Sequence, residues 1–163
     1  MPITVRMATE ADLAAIADIG RRTWHATYEP FAGPEYVARG LAHWWSDEAL
    51  RRGLPRALIA EDASATAVGM ASCAPDGDVL IVWKLYVLPE SQGTGAGTAL
   101  LRRVIADAGG HYAAVRLEYL DGNDTAARFY ERNGFTFLRR ESSPDRDPDS
   151  VWLERPLPTK ENT

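Results

Sequence analysis

The sequence predicts an α+β fold in which a mixed, mostly antiparallel central sheet carries helices on both faces. Three observations predict it. An apolar run at Val79–Leu88 passes through a glycine loop into a helical pattern, and a second strand-like run at His111–Leu120 passes through Asp121-Gly122-Asn123 into another. Ala57–Glu61 and Val68–Cys73 flank a polar turn at Asp62–Thr66, which is the pattern of an antiparallel hairpin. The first and last structured stretches, Ile3–Met7 and Val151–Leu157, read as strands. The resulting order is β-α-(α)-β-β-β-α-β-α-β-β.

Each element has a local reason. Ile3–Met7 alternates in polarity, and Thr9 opens a helix with Asp12 three residues on, a shortened capping box. Leu13, Ile16, Ala17, Gly20 and Trp24 then trace one helical face. From His25 to Pro55 aromatic residues (Tyr28, Phe31, Tyr36, Trp44, Trp45) are interleaved with His25, Glu29, Pro30, Gly33, Pro34 and His43. This turn-interrupted segment is either the wall or lid of a ligand pocket or a set of core rings. Asp76-Gly77-Asp78 turns the chain into the Val79–Leu88 strand. A helix begins at Thr98, with Leu101, Val104, Ile105 and Ala108 on one face and Gly109-Gly110 ending it. Asn123 is a helix N-cap candidate, and Gly134 stands where a left-handed residue closes that helix. Thr136–Glu141 pairs with Val151–Leu157 across the Asp- and Pro-rich Ser142–Ser150, and Thr159–Thr163 is expected to fray.

At 163 residues the chain is expected to form one domain over residues 1–158, and a domain of this size buries about two-thirds of its unfolded surface. It has no apolar run long enough to span a membrane, and its start lacks a signal peptide's apolar core. Cys73 is the single cysteine, which precludes an intrachain disulfide and suits a cytoplasmic protein; in an apolar strand it packs as a small hydrophobe. A net charge of −5 argues against nucleic acid and makes a cationic substrate easier to accommodate. No metal site is expected.

The junction at Gly93, Gly95 and Gly97 favours an anion. The first N–H groups of a helix have no intrahelical partner and carry the positive end of the macrodipole, so phosphate oxygens fit there without basic side chains. A dinucleotide fingerprint fails because Thr98 and Leu100 occupy the positions of its third glycine, and a P-loop fails because Gly97-Thr98 lacks a lysine. What fits is Gln92-x-x-Gly95-x-Gly97, which resembles the coenzyme A pyrophosphate loop of the GCN5-related N-acetyltransferase (GNAT) superfamily. Downstream, Asn123-Asp124-Thr125-Ala126-Ala127-Arg128-Phe129-Tyr130-Glu131-Arg132-Asn133-Gly134-Phe135 resembles that superfamily's Asn-x-x-Ala-x-x-Phe-Tyr-x-x-x-Gly-Phe segment. The two motifs cover roughly Val79 to Phe137.

The resemblance implies an acyl-CoA N-acyltransferase fold, acetyl-CoA as acyl donor, and often a homodimer. Gln92, Gly93, Thr94, Gly95, Ala96, Gly97 and Thr98 would hold the pyrophosphate. Leu85 and Val87 would meet the pantetheine arm through their backbones, in a gap where the strand Val82–Leu88 splays from Ala114–Leu120. Asn123, Ala126, Phe129 and Tyr130 would complete the coenzyme site.

Acetyl transfer to an amine needs a deprotonated amine, an oxyanion donor and an acid for the departing thiolate. Deprotonating an amine of pKa about 10.4 at pH 7 costs roughly 4 to 5 kcal/mol. The N–H of Val87 or Tyr86 is the oxyanion donor candidate, worth about 3 kcal/mol. Tyr130 is the acid candidate by its place in the motif. The base stays open. Lys84 occupies the place of a frequent family glutamate, and a lysine is no ready base. Glu118 is the base candidate carried forward, with Asp121, Glu29, His25, His43 and a water chain as alternatives. Trp24, Tyr28, Glu29 and Phe31 are the acceptor-site candidates. The implied activity is acetylation of a primary amine on a small molecule or peptide by direct attack in a ternary complex. A non-catalytic acyl-CoA sensor with the same fold is the alternative.

Overall fold

The computed structural model describes residues 2–158, so the tail expected to fray at Thr159–Thr163 lies outside the described residues. Seven strands are present: β1 (Thr4–Met7), β2 (Ala57–Glu61), β3 (Ala67–Asp76), β4 (Val79–Val87), β5 (Ala114–Leu120), β6 (Thr136–Glu141) and β7 (Ser150–Pro156). Five helices accompany them: α1 (Leu13–Ala32), α2 (Pro34–Trp44), α3 (Asp47–Gly53), α4 (Ala96–Ala108) and α5 (Asp124–Arg132). The sheet order is β1-β2-β3-β4-β5-β7-β6. The pair β4/β5 is parallel, whereas β1/β2, β2/β3, β5/β7 and β6/β7 are antiparallel. The mixed, mostly antiparallel sheet with flanking helices is the fold class expected from the sequence. Among the described residues no helix is long and apolar enough to cross a membrane.

The chain forms two compact units. The first holds the chain up to Cys73 together with Lys84–Arg103. Here α1 buries Leu13, Ile16, Ile19, Gly20, Thr23 and Trp24 along one stripe, and each buried Leu or Ile contributes about 2 kcal/mol. The buried Thr23 hydroxyl donates to the Ile19 carbonyl at 2.6 Å. Arg6 of β1 ties this unit together: it donates two bonds of 2.8 Å to the Asp12 carboxylate and one of 2.7 Å to Glu61. Asp12 also accepts the Thr9 N–H at 2.7 Å, the reciprocal arm of the expected capping box. The Arg6 guanidinium holds the Asp12 carboxyl down at about 2.

The segment from His25 to Pro55 is interrupted, as expected, at Gly33 and at Trp45-Ser46, and it is helical between the breaks. Helix α1 runs on to Ala32 with Pro30 inside its last turn, where only one ladder bond is forfeited. Between α1 and α2 the chain breaks at Gly33 alone, whose φ of +88° ends α1, and Pro34 then starts α2 at the position where its missing N–H is not needed. Ser46 accepts the Ala49 N–H at 3.2 Å and caps α3.

The second unit holds Ala74–Trp83 and the chain from Val104 onward. Val79–Val82 of β4 lie in register with Ala114–Leu117 of β5. β7 pairs with β5 along its whole length and with β6 on its other side. Val79, Ile81, Ala114 and Trp152 form a buried cluster on one face. Strand β5 starts three residues later than expected, because His111 and Tyr112 donate back to the Ala108 carbonyl and prolong the helix exit. Asn123 caps α5, accepting the Ala126 N–H at 3.2 Å, and Gly134 closes it with φ +85°, both as expected.

Candidate active site

The glycine loop lies in the first unit. After Val87 the chain makes a short 3₁₀ turn at Pro89–Ser91, passes Gly93 (φ +82°) and Gly95 (φ +92°), and enters α4 at Ala96, two residues earlier than expected. Gly97 is therefore part of the first helical turn rather than of the loop. Its φ values reserve Gly93 and Gly95 for glycine, and a Cβ built on either would meet nothing within 4 Å. They thus serve the chain's path and leave the space in front of it clear. The Ala99 N–H bonds Gly95 O at 2.9 Å, so the N–H groups of Ala96, Gly97 and Thr98 precede the helical ladder. Thr94 Oγ1 donates to Ser91 O at 2.5 Å, and Gln92 Nε2 donates to Val87 O at 3.3 Å, which ties the loop to the strand end.

Strand geometry separates the two oxyanion donor candidates. The Leu88 N–H donates to Val68 O on β3 at 2.8 Å, and the Tyr86 carbonyl stands 3.0 Å from where a Gly69 Cβ would be. Backbone groups alternate sides along a strand. Tyr86 therefore directs its N–H and C=O towards β3, whereas those of Leu85 and Val87 point the other way. The Val87 carbonyl's bond to Gln92 agrees with that orientation.

Also in the first unit, an aromatic cluster gathers side chains from α1, α2, β4 and Trp45. Trp24 stacks on Tyr36 with centroids 5.7 Å apart and meets Tyr28 edge-on at 4.8 Å. The Tyr28 and Tyr86 hydroxyls are 3.1 Å apart. Phe31 lies edge-on to Tyr28 at 6.0 Å and is 37% exposed. Trp45 meets the Tyr86 ring at 5.4 Å, and Lys84 Nζ lies 5.1 Å from its ring centroid. The cluster closes because two helical glycines make room for the indoles. A Cβ at Gly20 would stand 2.1 Å from Trp45, and one at Gly40 2.0 Å from Trp24. Burial lowers the Lys84 amine below the ordinary lysine range.

The structure thus unites Trp24, Tyr28 and Phe31 of the acceptor candidates. Glu29 is exposed and pairs instead with His25 at 2.8 Å, one turn back on α1. His43 is exposed beside Trp44. Sequence reasoning did not single out Trp45, Tyr36 or the side chain of Tyr86 as site residues. Gly20 carried a usable signal, since a glycine inside a helical stripe marks close packing.

The remaining candidates belong to the second unit. Tyr130 packs its ring against Phe129 at 5.4 Å and against the buried Phe135 at 6.1 Å. Ala126 and Phe129 are partly buried on the same helix. Glu118 of β5 is hydrogen-bonded to Ser150, and burial raises its carboxyl above the ordinary glutamate range, with Glu141 adding to the rise and Arg139 opposing it. Asp121 is exposed and salt-bridged to Arg140 at 2.9 Å. Among the described residues no group of three or more His, Cys, Asp or Glu side chains could hold a metal ion.

A family model described as the Acetyltransferase (GNAT) family matches residues 15–135. The chain belongs to this acetyltransferase family. An uncharacterized N-acetyltransferase of Mycobacterium tuberculosis is 35% identical to the acetyltransferase over 135 residues, which cover 78% of this chain and 83% of that one. A GCN5-like protein acetyltransferase of the same organism is 29% identical over 136 residues, 79% of this chain and 60% of the other. Among solved structures, PaiA N-acetyltransferase from Thermoplasma acidophilum in complex with coenzyme A superimposes with a TM-score of 0.83 at 22% identity, covering 96% and 100% of the two chains. That likeness shows a shared fold. The acetyltransferase keeps both motifs of the family inside the matched span.

Proposed function

We propose that this acetyltransferase moves an acetyl group from acetyl-CoA to the primary amine of a small molecule or peptide, by direct attack in a ternary complex. The observation that carries the reading is the strand end leading into the loop. Val87 turns its N–H away from β3, and the chain then presents the unladdered N–H groups of Ala96, Gly97 and Thr98 beyond two glycines at positive φ. Unladdered N–H groups directly after a strand whose register with β5 ends at Val82 suit a pyrophosphate followed by an extended amide-bearing arm. The coenzyme seen with PaiA from Thermoplasma acidophilum supports the same assignment.

When bound, acetyl-CoA supplies the thioester carbonyl. Gly93, Gly95 and the first turn of α4 would hold the pyrophosphate through backbone N–H groups, while Gln92 and Thr94, whose own N–H groups bond Pro89 O at 3.4 Å and Ser91 O at 3.3 Å, would shape the loop around it. Leu85 and Val87 pair with the pantetheine amides, and the Val87 N–H meets the carbonyl oxygen as charge develops on it. The orientation of Tyr86 towards β3 supports Val87 as the donor of the two candidates. Asn123, Ala126 and Phe129 complete the coenzyme site by their places in the family motif. Tyr130 delivers a proton to the departing thiolate, a role open to a phenol because phenols are ordinarily protonated at neutral pH. Glu118 receives the amine proton, and its burial-raised pKa moves it in the direction a base working near neutrality requires. Tyr28 and Phe31 wall the acceptor; Trp24, expected beside them, is buried in the hydrophobic core at 5% exposure and backs them from within. A homodimer accompanies this reading by family resemblance alone, and a cytoplasmic location by the single cysteine.

Release of free thiol from acetyl-CoA, measured with and without a panel of primary amines, tests the proposal. Amine-dependent release is the expected result. Release at the same rate without any amine would contradict N-acetyl transfer.

A further inference from the structure

We propose that the acceptor amine carries a carboxylate, and that the ammonium of Lys84 is its counter-ion beside the aromatic cluster. The inference rests on the acetyltransferase reading and specifies its acceptor. Lys84 and Tyr86 are two residues apart on β4, so their side chains leave the same face of the strand. That face meets the cluster: Trp45 has Lys84 Nζ 5.1 Å from its ring centroid and the Tyr86 ring at 5.4 Å.

Lys84 is an anomaly in this chain. Of the eighteen basic residues only Lys84 and Lys160 are lysines, and the described arginines Arg6, Arg22, Arg51, Arg116 and Arg140 each hold a carboxylate. Lys84 is partly buried and, among the described residues, makes no salt bridge. No neighbouring acid offsets the effect of burial on it. A desolvated cation without a carboxylate is costly, and an indole face replaces only part of what is lost. The indole N–H groups of Trp24 and Trp45 are likewise buried without an acceptor.

A bound carboxylate supplies the missing counter-charge, while a polyamine or other dication would place like charges together. The protein's net charge of −5 favours the opposite kind of acceptor, and the proposal holds that the local charge decides.

The test is kcat/KM for matched acceptors: α-amino acids with aromatic, aliphatic and polar side chains against their carboxamides, in the full chain and in Lys84→Met and Lys84→Arg. The quantity read is the acid-to-carboxamide ratio, because amide formation also changes amine basicity. Wild type should prefer the acids. Lys84→Met should collapse the ratio by at least about tenfold, chiefly through KM, and Lys84→Arg should restore part of it. The proposal is overturned by equal loss on acids and carboxamides in Lys84→Met. It is also overturned by turnover confined to amines without a carboxylate, or by recovery of the acetyl group on Lys84 itself. Titration of the same samples with acetyl-CoA separates the two readings. Coenzyme binding with the wrong acceptor preference overturns this proposal alone, and absence of coenzyme binding overturns the acetyltransferase reading beneath it.

Discussion

The glycine loop and the aromatic cluster belong to the same compact unit, yet they are built by opposite means. The loop offers backbone: a Cβ at Gly93 or Gly95 would meet nothing within 4 Å, Gln92 ties back onto the strand end at Val87, and Thr94 onto the turn at Ser91. The cluster offers side chains, and its glycines are crowded, with Gly20 and Gly40 leaving just enough room for Trp45 and Trp24. A backbone site recognises what every coenzyme of one class shares. A ring-lined site can be recut by exchanging side chains, which suits the partner that differs from one acetyltransferase to the next. The two regions should therefore respond to mutation independently, one through coenzyme affinity and the other through acceptor KM.

The largest separation is expected from Gly95→Glu. It forces a side chain onto φ +92°, at about 1–2 kcal/mol of stability, and puts a carboxylate in the anion cradle, so acetyl-CoA affinity should fall by about 100-fold or more, read by calorimetry on the folded variant. Gly40→Ala attacks the other region. A Cβ 2.0 Å from the Trp24 ring has to displace it, at about 1–3 kcal/mol in urea unfolding, and the acceptor KM should rise while coenzyme affinity holds. A parallel fall in coenzyme affinity would break the comparison. Tyr130→Phe lies outside both regions and should lower kcat about tenfold with both affinities intact.

The smallest effect on turnover is expected at Asp12. Its carboxyl is held at about 2 against an ordinary 3.8, so its stabilising contribution of about 2 kcal/mol is present above pH 3.8 and is lost as pH falls towards 2. Asp12→Asn should lose that amount at pH 7 in urea unfolding and become no worse than wild type below pH 2, with kinetics unchanged.

What was legible in the sequence divides along the same line. Glycines that need positive φ announce themselves, so the loop at Gly93 and Gly95 and the closing turn at Gly134 could be placed from the sequence. Asn123 could be placed as a cap because its interaction is local. The segment from His25 to Pro55 reads as turn-interrupted, but the sequence does not say where, because Pro30 and Gly33 both look like breakers of α1. Only Gly33 breaks it, since a proline in a last helical turn forfeits one bond and no more. The gathering of Trp45, Tyr36 and Tyr86 around Trp24 was not legible at all. It depends on how α1, α2 and β4 pack, and aromatic residues spread over sixty positions carry no local sign of meeting. The pairing of Glu29 with His25 on the exposed side of α1 is similarly a matter of helix phase.

The central claim is that the strand end at Val87 and the loop from Gln92 to Thr98 form a coenzyme A site. Its most direct test is calorimetric titration of the full chain with acetyl-CoA, ATP and NAD in turn. The account predicts saturable binding of acetyl-CoA with a Kd on the order of micromolar and none of the other two. Absence of acetyl-CoA binding, or equal binding of ATP or NAD, would contradict it.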